Sequence, residues 1–74
     1  MIVVLYSKDG GQTKKVATAY KNQTLDQIKA QGWGNNSNVC DYYEVDDGNT
    51  QDLGGGVWKC SLTTEEVLGQ GAKL

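Results

Sequence analysis

At 74 residues and a net charge of −2, the chain has room for one domain with one small core, and a domain of this size buries only about 60% of the surface its unfolded chain exposes. Its acidic balance, with a pI near 4.8, provides no positive field to draw it onto nucleic acid or anionic membrane, so neither is expected as a partner. The longest apolar run, Met1 to Tyr6, falls far short of the ~20 residues that span a bilayer and lacks the basic lead-in and cleavage site of a signal peptide, so a soluble cytoplasmic product is expected.

Ile2-Val3-Val4-Leu5-Tyr6 is β-branched and aromatic, with apolar side chains at every position. It reads as a strand buried on both faces and central in its sheet. Asp9-Gly10 follows, and an Asp-Gly step between strand-like segments is the strongest short-range signal for a β-hairpin. Thr13 to Tyr20 is then the return strand, with Val16, Thr18 and Tyr20 on one face and Lys15, Ala17 and Ala19 on the other. A competing reading runs a long helix from about Thr13 to Gln31, because Val16, Tyr20, Leu25 and Ile28 recur near a 3.6-residue period. Asn22-Gln23-Thr24 argues for a break instead. Thr24 with Gln27 three residues on is a capping box, which predicts a short helix from about Leu25 to Gln31 stopped at Gly32.

Gly32 to Asn38 reads as a polar loop, with Trp33 folded back over a helix end. Val39 to Val45 alternates as a third strand, with Val39, Tyr43 and Val45 on one face and Cys40, Tyr42 and Glu44 on the other. Asp46 to Gly56 is turn chemistry throughout. Val57 to Leu62 alternates again and is expected to pair with the third strand across that loop, which would turn Cys40 and Cys60 to one sheet face. Thr63 and Glu66 form a second capping box, opening one or two turns through Val67 and Leu68. The tail from Gly69 to Leu74 is expected to fray. The predicted class is α+β: a single domain, 1–74, with a small antiparallel or mixed sheet and one short helix in ββαββ order.

This order, with Thr24-Leu25-Asp26-Gln27-Ile28-Lys29 opening the helix, resembles the ubiquitin-like β-grasp layout and implies a β-grasp-like sheet. The carriers of that family end in Gly-Gly, whereas Gly69-Gln70-Gly71-Ala72-Lys73-Leu74 stands here. Val3-Val4-Leu5-Tyr6-Ser7-Lys8 is similar to the opening strand and loop of a glutaredoxin. The redox dithiol of that family has no counterpart in Asp9 to Gln12, and the chain has no proline for its cis-Pro. Ubiquitin-like or sulfur carrier and redox functions therefore rank last.

The absence of histidine and arginine removes the commonest general base, the commonest metal ligand and the bidentate anion clamp together. No catalytic residue, cofactor or metal ligand set is expected, and the protein is not expected to be an enzyme. Two cysteines are too few for the disulfide framework of a small secreted domain and read as reduced thiols. Asp41, Glu44, Asp46, Asp47 and Asp52 lie in a stretch from Gln31 to Trp58 without a lysine. A calcium loop would need a different spacing and a distal Glu, so the cluster reads as a solvated turn or as a surface for a basic partner. Gly54-Gly55-Gly56 precedes a strand rather than a helix, and reads as a hairpin loop rather than a phosphate cradle.

Among the aromatic residues, Tyr6, Tyr43 and Trp58 read as packing, while Trp33 and Tyr42 are the pair that would stand beside the acidic loop. The candidate partner surface is therefore Trp33, Tyr42, Glu44, Asp46 and Asp47. These features predict a small non-catalytic protein-binding or regulatory accessory protein, with a composition that suits a phage or bacterial product. The alternative is a structural subunit assembling through its sheet edges. A thin core and a strand apolar on both faces add the expectation of a homo-oligomer or larger complex.

Overall fold

The computed structural model describes residues 1–31, 39–55 and 57–74. Its elements are β1 (Ile2–Ser7), β2 (Lys15–Tyr20), α1 (Leu25–Ala30), β3 (Val39–Glu44), β4 (Thr50–Gly54), β5 (Val57–Cys60), α2 (Thr64–Gln70) and β6 (Ala72–Lys73). The strands form one sheet in the order β4-β5-β2-β1-β3-β6, and every pair is antiparallel. The α+β class expected from the sequence is thus present, but the element order is ββαβββαβ rather than ββαββ.

β1 lies inside the sheet between β2 and β3, and its side chains fill two separate clusters. Val3 and Leu5 join Met1, Ala19, Tyr43, Val45 and Val67 of α2 on one face. On the other, Ile2 and Val4 join Tyr20, Tyr42 and Ile28 of α1. Val3, Val4 and Leu5 are fully buried, which is why this run carries no polar alternation.

The β1–β2 hairpin forms as the Asp9-Gly10 step predicts, and Lys15–Tyr20 is a strand rather than the first half of a long helix. Gly10 and Gly11 both take positive φ, at 77° and 103°, a region that glycine enters without the steric cost of a Cβ. One expected facing is corrected. Val4 pairs with Thr18 but Leu5 pairs with Val16, so Ala17 is the extra residue of a β-bulge. A bulge inverts the alternation beyond it: Thr18 lies opposite Val4, whereas Val16 packs against the Leu5 and Ala19 cluster.

Both capping boxes are complete, Thr24 with Gln27 at the start of α1 and Thr63 with Glu66 at the start of α2. Each helix spends its one fully buried side chain, Ile28 or Val67, on opposite faces of the sheet.

Three further expectations are corrected. Thr50–Gly54, read as turn, is strand β4, which forms a hairpin with β5. β5 pairs with β2 rather than with the third strand, because β3 already has β1 on one side and β6 on the other. The shared facing of Cys40 and Cys60 that the other pairing required therefore has no basis, and the Cys40 side chain lies outside the described ones. Finally, the segment expected to fray holds the end of α2 and β6. Gly71 makes this possible: a Cβ there would stand 2.7 Å from the Val67 carbonyl oxygen and 3.1 Å from Val45 Cγ1. Past it, the Leu74 N–H donates to the Tyr42 carbonyl at 2.8 Å. The loop read over Gly32 to Asn38 lies outside the described residues.

Candidate functional site

Of the predicted partner surface, Trp33 lies outside the described residues and the other four do not form one patch. Tyr42 is 7% exposed and packs in the α1 cluster, with the Lys29 ammonium 5.4 Å from its ring centroid. Glu44, Asp46 and Asp47 gather at the far end of β3, where two of them hold the start of β1. The Met1 ammonium donates to Glu44 Oε1 at 2.7 Å, to Asp47 Oδ1 at 2.6 Å and to the Val45 carbonyl at 3.1 Å. Burial is the largest single influence on that amine and disfavours its charge, but the hydrogen bonds and charges of Asp47 and Glu44 together outweigh it and raise its pKa. The same hydrogen bond lowers the Asp47 pKa. Asp46 closes the turn by accepting from the Gly48 N–H at 3.0 Å, as short Asp side chains do in turns.

The hairpin loop between β1 and β2 is held by its own side chains. Ser7 Oγ donates to Asp9 Oδ1 at 2.6 Å and accepts from the Gly11 N–H at 2.8 Å. Asp9 also accepts from the Thr13 N–H at 2.9 Å and from the Thr13 hydroxyl. The bond from Ser7, followed by those from Thr13, holds the Asp9 carboxyl well below the usual range. Beside the loop, Lys14 is paired with Asp41 of β3.

An apolar recess opens between β2 and β5. These strands pair only at Ala19 with Trp58 and Tyr20 with Val57. Beyond those pairs lies a cavity of about 260 Å³ lined by Val16, Ala17, Thr18, Leu53, Trp58, Lys59 and Cys60. Trp58 forms part of its wall, braced by the Lys21 ammonium 4.0 Å from the ring centroid. Leu53 of β4 stands at the rim, 60% exposed. β4 is also the outer strand on this side of the sheet.

Sequence reasoning passed over both Leu53 and the recess. The available signal was local: Leu53 is the single apolar residue between Val45 and Val57. Among the described residues no three His, Cys, Asp or Glu side chains converge as a metal site, and no helix is long and apolar enough to cross a membrane. Comparison with protein families, with curated proteins and with solved structures finds no match.

Proposed function

We propose that this is a small non-catalytic binding protein of the cytoplasm that takes an extended, basic segment of a protein partner along the outer edge of β4. The observation that carries this reading is Leu53, among the described residues the most exposed of the large apolar side chains, placed on an edge strand at the rim of the Trp58 recess. Addition of a strand to a sheet edge draws affinity from main-chain hydrogen bonds and selectivity from neighbouring pockets. The Ser61 N–H donates to the Asn49 carbonyl at 3.0 Å, which turns Asn49 toward β5. By antiparallel alternation, Thr50 and Asp52 then turn their backbone groups outward. An apolar partner side chain would fill the recess beside Leu53.

Charge favours a basic partner over a second copy of the chain. Asp52 is the middle residue of the five in β4, so symmetric pairing of two copies about that residue would set Asp52 against Asp52, and like charges directly opposite destabilise a sheet. A lysine or arginine in a partner strand would meet Asp52 favourably, with Asp46 and Asp47 nearby in the chain adding to the attraction. Glu44 stands on β3, on the far side of β1 and β2 from this edge, and with Asp47 holds the Met1 ammonium. Tyr42 serves as packing in the α1 cluster. The hairpin followed by a capped helix supports a β-grasp-like description of the first half of the sheet. Ubiquitin-like carrier activity draws no support from it. Assembly of copies through sheet edges remains the second reading, favoured only by the outer position of β4.

The test is capture of a partner by the immobilised protein and then binding of the purified partner to wild type, L53E and D52K. The reading requires both variants to weaken binding at least several-fold and requires wild-type binding to fall as salt is raised. A partner that binds all three equally refutes it. Self-association that L53E abolishes would favour the structural-subunit reading.

A further inference from the structure

A second cavity, of about 220 Å³, opens beside the hairpin loop and is lined by Tyr6, Lys8, Thr13 and Lys15. Tyr6 of β1 and Lys15 of β2 are cross-strand partners, and the Lys8 ammonium lies 5.8 Å from the Tyr6 ring centroid. We propose that this cavity binds a small phosphate monoester, its phosphoryl group between the Lys8 and Lys15 ammoniums and its organic part against the Tyr6 ring.

Three observations converge on that ligand class. First, among the described residues neither Lys8 nor Lys15 has a carboxylate within ion-pair distance, whereas Lys14 between them is compensated by Asp41. Second, the nearest acid in sequence does not line the cavity. Asp9 is committed to Ser7 and Thr13 within the loop. Third, the positive charge is local. In a chain of net charge −2, two uncompensated ammoniums suit a compact dianion rather than a polyanion, whose binding needs many phosphate contacts. Lysine serves as a point charge for phosphate, and the half-buried Tyr6 ring offers an aromatic wall for stacking.

The experiment is an amide chemical-shift titration of the 74-residue protein with phenyl phosphate, with inorganic phosphate and phenol as separate arms. The proposal requires saturable shifts centred on Tyr6, Lys8, Thr13 and Lys15 with phenyl phosphate, weaker binding of inorganic phosphate, and no saturable response to phenol. K8Q and K15Q should each weaken phenyl phosphate by about 1.4- to fivefold, the span expected for a solvent-exposed charge pair. K59Q removes the same charge beside the other recess and should leave the affinity unchanged. Both Lys8 and Lys15 are exposed, so melting temperatures close to wild type are expected and confirm that the variants are folded. Shifts that grow linearly at every lysine, or equal weakening by K59Q, would overturn the proposal. Equal affinity for inorganic phosphate would overturn it as well, because the organic part would then add nothing to binding.

Discussion

Asp9 shows how one exposed side chain can hold a loop that apolar packing does not reach. Its carboxylate gathers Ser7 and Thr13, and those bonds favour the charged form. Because the folded state lowers its pKa, the stabilisation is fully present above the unfolded carboxyl value of about 4. It is lost as pH falls through and below that value. The melting temperature of the wild type should therefore decline more steeply below about pH 4 than that of D9N, which should start lower at neutral pH. Parallel slopes would contradict the assignment. Two glycines separate backbone strain from crowding. Around Gly10, at φ 77°, there is nothing within 4 Å of an added Cβ, so G10V should cost about 1–2 kcal/mol through conformation alone. Gly71 has an ordinary negative φ of −77° but no space, and G71A should cost about 1–3 kcal/mol by overpacking against Val67 and Val45. Thermal unfolding of both variants checks the pair.

At the scale of the elements, the two helices are short and owe their place to caps and one buried contact each. I28A should destabilise by about 2–5 kcal/mol, the range for emptying a core aliphatic site. T24A should cost about 1 kcal/mol through the lost cap. Denaturant midpoints that move less for I28A than for T24A would show that the α1 face is not a packed core. These elements were legible because their signals are local: Thr24 with Gln27, Thr63 with Glu66, and Asp9-Gly10 each lie within a few residues. β4 was not legible, because an edge strand with almost no buried side needs no apolar alternation. Thr50-Gln51-Asp52-Leu53 consequently has the composition of a turn. The Ala17 bulge was hidden for a different reason: Val16, Ala17 and Ala19 are all small enough for either face, so the pattern does not reveal which one is inserted. Leu53 went with β4, and with it the rim of the recess.

For the molecule as a whole, the expectation of self-association rested on a thin core and on β1 needing cover on both faces. α1 and α2 provide that cover within one chain, and the outer strands β4 and β6 are respectively charged at the centre and two residues long. Sedimentation equilibrium of the isolated protein should give a monomer mass at micromolar concentration. A dimer would return weight to assembly through sheet edges. The pairings that the sequence did not reveal are the distant ones. β5 finds β2 rather than β3 because α2 and β6 return to claim the free side of β3, and no local pattern announces that return.

The placement of β1 also has a consequence in time. Its first cover, α1, follows within the same thirty or so residues, and local contacts of this kind close quickly. Its second cover, Val67, lies more than sixty residues downstream of Val3. A growing or partly folded chain therefore completes the α1 side while Val3, Leu5 and Ala19 still face solvent, awaiting α2. That interval is when the chain is most exposed to mispairing with its neighbours, and a chain interrupted before Thr64 would be held in it.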